Sequence, residues 1–302
     1  MNLPWFKAIL HQHALRAEEK RLHHGLLLSG AKDIGKHQYA KALGRSLLCK
    51  SLVNGEACGE CQSCQLFEAG SHPDYYWLET DKSQIGVDLI RSAIQSLSQT
   101  AQLNHNKVLI IADADLLSES AANALLKTLE EPTQSTYLLL VTDQPNRLLP
   151  TILSRCEKCL LPTPAVEDSI EWLTHTLNGE SSEHALTPAL LKGYGNAPFA
   201  VLRSLRDKDS KAFDDFNVLV ESLCSGRVDA LSAAEEWHST YQQVIAWAQR
   251  YLQDKIKRDG LTLDQARWDV LNQLNTLSET ARHAGVNKVL LLVQTFTLLQ
   301  EF

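Results

Sequence analysis

The chain has 302 residues and a net charge of −7, which predicts two or three domains and argues against strong direct DNA binding by this chain alone. With 44% hydrophobic and 22% charged residues it can bury substantial cores, yet no apolar run approaches the roughly 18 residues that span a bilayer, and the N-terminal stretch does not fit a secretory signal. We therefore expect a cytoplasmic protein whose seven cysteines bind metal or are buried, because a reducing compartment does not favour a disulfide framework.

A glycine-rich loop follows the first predicted strand. Residues 1–24 predict an amphipathic helix and a basic turn, and Gly25–Ser29 predicts a short buried strand. The next eight residues, GAKDIGKH, match the phosphate-binding pattern G-x-x-x-x-G-K. They then carry His37 where a Ser or Thr hydroxyl would hold Mg²⁺ in a working loop. An imidazole is a poor ligand for that hard ion.

Two interpretations of this loop remain open. It either serves only as the cap of the following helix, or it binds nucleotide weakly through the residues that remain, which are Gly30, Gly35 and Lys36. In both cases we expect no ATP hydrolysis by this chain.

A cysteine array comes next, with the spacing C-x8-C-x2-C-x2-C, formed by Cys49, Cys58, Cys61 and Cys64. Four thiolates suit tetrahedral Zn²⁺, and a complete set of four with no open position indicates a structural site. Redox pairing or simple burial is the alternative, but four cysteines with polar neighbours in one loop are not typical of a core. His72 is a fifth candidate ligand, although GSHPDYY fits better as a loop that enters the predicted strand Tyr75–Leu78. We predict structural zinc on the four cysteines.

The central segment predicts a βαβ unit. Val108–Ile111 and Tyr137–Val141 are uninterrupted aliphatic runs, typical of parallel strands that are covered on both faces. Between them, Ser118 can cap a helix that Pro132 ends. Polar residues follow both strands, namely Asp113 and Thr142, and ligands in open α/β sheets gather beyond the carboxyl ends of strands.

The remainder of the chain predicts one more strand and then helices. Residues 157–161 form the strand, and two prolines after it mark a boundary. Three short helical patterns follow up to residue 205, and residues 207–302 show helical periodicity alone. One predicted helical face there runs from Trp237 through Tyr241 to Leu252, and Cys224 is expected to be a buried helix residue.

The central segment also carries a family resemblance. The order of an aliphatic strand, an Asp, SAANALLKTLEEP, a strand ending in Thr-Asp, and ILSRC resembles the AAA+ ATPase-like domain of clamp-loader subunits of bacterial DNA polymerase III. The cysteine insertion after the loop helix matches that family too. The resemblance implies an α/β plus all-α protein: an AAA+ RecA-like parallel-sheet domain at 1–163 with a zinc module at 49–64, a helical lid at 164–206 and a helical collar at 207–302.

The resemblance assigns Arg155, within Ser154-Arg155-Cys156, the role of an arginine finger that acts on a neighbouring subunit. An ordinary surface arginine is the alternative. Three positions depart from an active ATPase of this family: His37 in the loop, Ala114 where an acidic residue polarises water, and Pro198 where a second sensor arginine would touch the nucleotide.

The resemblance therefore implies a stator: a subunit without intrinsic ATPase activity inside a DNA polymerase holoenzyme, lending Arg155 to a motor subunit. The implied partners are motor subunits of the tau/gamma kind and a delta subunit, with the sliding clamp and primed DNA reached through the complex. Two other classes remain as alternatives. One is an active P-loop ATPase, and the other is a zinc-ribbon nucleic-acid-binding protein, against which the acidic balance counts.

Overall fold

The computed structural model describes residues 3–103, 105–177, 186–206, 213–260, 264–281, 283 and 285–302. Contacts divide the chain into two compact units, Met1–Trp172 and Leu173–Phe302. Among the described helices, none combines the length and the apolar character needed to span a membrane. The division into three domains stays a prediction, and its second boundary adjoins residues 207–212, which lie outside the described ranges.

The described residues contain β-strands that form two sheets. Their bounds are β1 Gly25–Ser29, β2 Leu52–Val53, β3 Glu56–Ala57, β4 Tyr75–Leu78, β5 Lys107–Ile111, β6 Thr136–Thr142 and β7 Glu157–Leu160. The α-helices of the first part of the chain are α1 Lys7–Glu18, α2 Lys36–Leu48, α3 Gln62–Glu68, α4 Val87–Ser98, α5 Glu119–Glu130, α6 Pro150–Leu153 and α7 Val166–Leu177. Those of the second are α8 Pro188–Gly193, α9 Pro198–Arg206, α10 Phe213–Cys224, α11 Ala230–Trp237, α12 Tyr241–Asp259, α13 Gln265–Thr280 and α14 Lys288–Glu301.

The larger sheet has five parallel strands in the order β4-β5-β6-β1-β7. Its register aligns Ser29 at the end of β1 with Thr142 of β6 and with Leu160 of β7. Because all five strands run the same way, their carboxyl ends share one edge of the sheet and their amino ends share the opposite edge. The predicted fold class, a parallel α/β sheet followed by a helical part, is confirmed.

The aliphatic runs form the core of this sheet. Every residue of β5 is buried, and so are Leu138–Val141 of β6. On one face, Leu109 and Leu140 belong to a cluster that includes buried residues of α4 and α5. On the other face Gly44 of α2 comes close to Ile110, because a Cβ added to Gly44 would lie 3.3 Å from Ile110 Cδ1. Strands covered on both faces require this unbroken hydrophobicity, which explains why no alternation is visible in the sequence.

Helix α5 begins and ends where the sequence predicts. The Ser118 hydroxyl accepts a hydrogen bond from the Ala121 N–H at 3.2 Å and so caps the helix. The helix ends at Glu130, two residues before Pro132, which has no N–H to continue the ladder. Leu125 and Leu129 are buried against the sheet, so the position of the helix is fixed along its length.

The second unit is helical throughout its described residues, and two expectations about it are wrong. Trp237 ends α11, and a short 3-10 turn over His238–Thr240 separates it from α12, so Trp237 and Tyr241 do not lie on one helix. Cys224 is exposed, because it follows the buried Leu223 at the last position of α10 and therefore points about 100° away from the core face.

Candidate functional site

The glycine-rich loop joins β1 to α2 at the carboxyl edge of the sheet. Gly35 has φ of 98°, a left-handed conformation that favours glycine, and it sits immediately before α2. Lys36 is only 7% exposed, and its Nζ donates to the Ala31 carbonyl oxygen at 2.7 Å. Burial lowers the pKa of Lys36, partly offset by nearby carboxylates, Asp143 first among them. The loop thus keeps the backbone and the lysine of a phosphate cradle, with one lysine N–H used inside the loop itself.

His37 fills the position that would hold the magnesium-binding hydroxyl. Its Nε2 lies 2.7 Å from the Ala112 carbonyl oxygen, just beyond the end of β5, and 3.5 Å from Asp113 Oδ1. A carbonyl oxygen only accepts hydrogen bonds, so Nε2 carries the proton. The imidazole edge also meets the Trp77 ring, at 5.9 Å between centroids. The ring is therefore held between the strand end and an aromatic side chain.

The pairing of His37 with Asp113 shifts the pKa of both side chains. The hydrogen bond to Asp113 raises the pKa of His37 against the opposing effect of burial, and the bond to the Ala112 carbonyl adds to the rise. In return, the hydrogen bond to His37 lowers the pKa of Asp113. The sequence placed Asp113 beyond the end of a strand, at an edge where ligands gather. The structure shows that its carboxylate faces an imidazole in this chain.

Thr142 pairs with a carboxylate that the sequence interpretation missed. Its Oγ1 donates to Asp115 Oδ1 at 2.6 Å and accepts from the Gln144 N–H at 2.9 Å. Asp115, two residues after Asp113, was the sequence feature that could have indicated this contact. The Thr142 hydroxyl is therefore bonded to other residues at the same edge of the sheet.

Pro198, the third expected departure from an active ATPase, is a buried residue at the start of α9 in the second unit.

The four predicted cysteine ligands come together between the end of α2 and the first turn of α3, in which Cys64 lies. Their sulfur atoms all lie within 4.8 Å of one another, with Cys49 and Cys58 at 3.5 Å and Cys58 and Cys64 at 4.0 Å. Four sulfurs at the Zn–S distance of about 2.3 Å around a tetrahedral ion stand about 3.8 Å apart. The cluster therefore has the dimensions of a metal site with a complete set of ligands.

Backbone N–H groups point at three of these sulfurs, whereas burial raises the pKa of Cys49 and of Cys64. The N–H of Cys58 points to Cys49 Sγ at 3.3 Å, that of Cys61 to Cys58 Sγ at 3.4 Å, and that of Cys64 to Cys61 Sγ at 3.5 Å. Although burial opposes the change, backbone hydrogen bonds, first from Lys50 and then from Cys64, lower the pKa of Cys61 to about 6. A thiolate is the form that binds metal. The donor set thus fits a divalent soft ion.

His72 lies outside this cluster and hydrogen-bonds to Ser63 in α3. The Ser63 hydroxyl donates to the Leu48 carbonyl at 2.6 Å and so accepts from His72 Nε2 at 2.8 Å. The other ring nitrogen accepts from the Asp74 N–H at 3.1 Å. Both nitrogens of His72 are therefore used in fixing α3 to the entrance of β4, in line with its interpretation as a loop residue.

Arg155 lies at the other edge of the sheet, between α6 and the amino end of β7. Its carbonyl oxygen would be 3.4 Å from a Cβ on Gly25, the first residue of β1. The glycine-rich loop follows the last residue of that same five-residue strand. At about 3.3 Å per residue, the strand separates the two by roughly 13 Å.

The guanidinium of Arg155 is engaged by its own chain and remains one-third exposed. Nε donates to Glu130 Oε1 at 2.7 Å, Nη2 contacts the same oxygen, and Nη1 donates to the Thr151 carbonyl at 3.0 Å. Glu130 had no assigned role in the sequence interpretation. It stands 25 residues before Arg155, and only the fold brings the two together.

A parallel sheet in this strand order, with a phosphate-type loop after its first strand and an arginine before its last, defines an AAA+ type α/β domain; here it also carries a four-cysteine module. Residues 7–165 match the family described as DNA polymerase III, delta subunit. The chain belongs to the DNA polymerase III delta-prime subunit family.

Relatives at the sequence level agree with this membership. The chain is 38% identical over 242 residues to DNA polymerase III subunit delta-prime of Pseudomonas aeruginosa, covering 78% of this chain and 71% of that one. It is 36% identical over 258 residues to the delta-prime subunit of Escherichia coli K12, covering 84% and 76%. It is also 35% identical over 164 residues to DNA polymerase III subunit tau of the same organism, covering 54% of this chain and 25% of that one.

Proposed function

We propose that this chain is the non-hydrolysing stator subunit of the DNA polymerase III clamp loader, and that Arg155 is an arginine finger for ATP held by a neighbouring motor subunit. The observation that carries the proposal is the separation of the two sheet edges. Arg155 stands about one strand length from the glycine-rich loop of its own chain. A side chain at the amino edge cannot contact a phosphate at the carboxyl edge, so its partner nucleotide belongs to another subunit.

The loop of this chain lacks the means to hydrolyse ATP. Magnesium in a working loop is held by a Ser or Thr hydroxyl, and here His37 occupies that position and bonds to the Ala112 carbonyl. An imidazole bonded in this way offers no oxygen ligand to the cation. Nucleotide, if bound through Gly30, Gly35 and Lys36, would lack the metal that neutralises charge on its phosphates.

A guanidinium suits the task assigned to Arg155. It stays charged at every physiological pH, and its planar fork matches two phosphate oxygens at once. In phosphoryl transfer, negative charge spreads over the oxygens of the transferred group, and a cation placed there stabilises the transition state. One-third exposure leaves the group accessible from outside the chain.

The proposed partners follow from the same assignment. Motor subunits of the tau/gamma kind supply the nucleotide, a delta subunit completes the loader, and the sliding clamp and primed DNA are reached through the complex. Structural zinc is the proposed cofactor, held by Cys49, Cys58, Cys61 and Cys64, and its chemistry is to crosslink the loop rather than to react. The cytoplasm is the proposed location, on the composition of the sequence.

The test replaces Arg155 in the reconstituted loader. With Arg155→Ala we expect the complex to assemble normally and ATP turnover at the site facing this chain to fall by about 10³-fold, the lower end of the range for arginine fingers. Arg155→Lys should recover little of that loss, because an ammonium cannot fork onto two oxygens. The readout is steady-state ATPase with clamp and primed DNA, alongside clamp loading.

Lys158→Ala is the matched control, since Lys158 is an exposed cation on β7 three residues away. It should leave ATPase unchanged. If Arg155→Ala gives an assembled loader with wild-type ATPase, the arginine finger is excluded.

A further inference from the structure

Helix α5 ends in a residue that does not suit a helix C-terminus. Carbonyl groups give the last turn of a helix partial negative charge, which favours cations and disfavours carboxylates there. Glu130 is nevertheless the last residue of α5, and a second acid, Glu131, follows it. The side chain of Glu130 therefore does not stabilise the helix. Its role lies in its contact with another residue.

The contacted residue is Arg155. One oxygen, Glu130 Oε1, accepts from Nε at 2.7 Å and also contacts Nη2. The opposite side of the guanidinium is held through Nη1, by the Thr151 carbonyl at 3.0 Å and by Ser154 Oγ at 3.3 Å. The plane of the guanidinium is thus fixed from two sides.

The support behind Glu130 is rigid. Leu129 is buried, and its carbonyl accepts from His24 Nε2 at 2.7 Å, which ties the end of α5 to the residue before β1. Gly25, where β1 starts, approaches both Leu129 and Arg155, with a Cβ position 2.9 Å from Leu129 Cδ2. Glu130 and Arg155 therefore stand on one packed corner of the sheet.

The ion pair between Glu130 and Arg155 is also weak enough for phosphate oxygens to replace Glu130. The side chain of Glu130 is 48% exposed and that of Arg155 is 33% exposed. Exposed ion pairs contribute little net stability because water screens them. A triphosphate carries more charge than one carboxylate, so phosphate oxygens can take over donors that Glu130 has oriented.

We propose that Glu130 is a positioning residue for the arginine finger: it holds the guanidinium of Arg155 in one orientation before the neighbouring nucleotide arrives. This inference rests on the proposed function of Arg155. Arginine side chains have many rotamers, and fixing one beforehand removes an entropic cost from the step in which the transition state forms.

The test measures ATPase kinetics of the reconstituted loader with Glu130→Ala. Because the contact that it prepares is made in the transition state, we expect kcat at the site facing this chain to fall about fivefold with KM unchanged. Glu130→Gln keeps an acceptor oxygen in place and should stay within about twofold of wild type. Glu130→Ala should add nothing to the loss caused by Arg155→Ala, since both act through one group.

Glu131→Ala is the matched control, because it removes the adjacent exposed acid from the same helix end. A fall in kcat for Glu130→Ala, absent in Glu131→Ala, supports the positioning role. Unchanged or faster turnover in Glu130→Ala, an equal fall in both variants, or a change confined to KM overturns it. If Arg155→Ala lowers turnover while Glu130→Ala does not, this inference alone fails; if Arg155→Ala has no effect, the proposed function fails first.

Discussion

The two edges of the parallel sheet differ in how their charged groups are used. At the carboxyl edge, Lys36 bonds to its own loop, His37 to the Ala112 carbonyl, and Thr142 to Asp115. At the amino edge, Arg155 contacts the exposed carboxylate of Glu130 and the Thr151 carbonyl oxygen. Each of these carboxyl-edge groups is bonded to an atom of the same edge, and the amino edge keeps a cation that is one-third exposed. Under the proposed function, this difference means that a sheet of this kind can lose ATP hydrolysis at its own carboxyl edge and still supply an arginine to a neighbouring subunit.

The largest effect is expected from the cysteine module, which joins the end of α2 to α3. Cys64→Ser removes one of four thiolates, so we expect zinc to be lost and the free energy of unfolding to fall by at least about 3 kcal/mol, a fraction of the roughly 10–16 kcal/mol of structural zinc binding. Metal content by atomic spectroscopy and chemical denaturation measure the two effects.

Cys224→Ser is the control for that experiment, since Cys224 is exposed and lies far along the sequence from the module. It should keep both the metal and the stability. A Cys64→Ser protein with full zinc content and wild-type stability would contradict the proposed ligand set.

At the carboxyl edge, we expect the stabilising effect of the His37–Asp113 pair to depend on pH. The pKa of His37 is raised in the folded protein, so its contribution to stability is present below the ordinary imidazole pKa of about 6.5 and is lost as pH rises through the folded value. The pKa of Asp113 is lowered, so its contribution is lost as pH falls through its folded value. The pair should therefore be most stabilising at mildly acidic pH.

Asp113→Asn tests this pairing directly. The variant removes the main cause of the raised pKa and leaves burial, which lowers it, so His37 should titrate at lower pH than in the wild type. Titration of the His37 imidazole signals by NMR in the two proteins gives both values. Equal His37 pKa values in the two proteins would show that Asp113 is not the partner.

The smallest effect is expected from the lysine of the loop. If this chain does not hydrolyse ATP, Lys36→Ala should leave the ATPase of the assembled loader within about twofold of wild type, in contrast to Arg155→Ala. The isolated chain should likewise show no magnesium-dependent turnover. Turnover by the purified chain that disappears with Lys36→Ala would restore the interpretation as an active ATPase.

The sequence predicted the scaffold well because the relevant signals are local. The aliphatic runs of β5 and β6, the Ser118 cap and the cysteine spacing each specify structure within a few residues of themselves. The role of Arg155 came from the family resemblance, and its place at the amino edge of the sheet became visible only in the fold.

The partners of these residues could not be predicted, because they come from distant parts of the chain. Nothing local links His37 to Ala112, 75 residues later, or Glu130 to Arg155. Cys224 and Trp237 were misplaced for a related reason: periodicity identifies a helical face but does not fix where one helix ends and the next begins. Contacts between elements decide both.

The most direct measurement is a structure of the assembled loader trapped with a transition-state analogue of ATP. The account predicts the guanidinium of Arg155 within about 3 Å of phosphate-mimic oxygens held by the neighbouring motor subunit, with His37 still bonded to the Ala112 carbonyl. Arg155 turned away from every subunit interface, or Mg²⁺ and nucleotide coordinated at the Gly30–Lys36 loop of this chain, would contradict it.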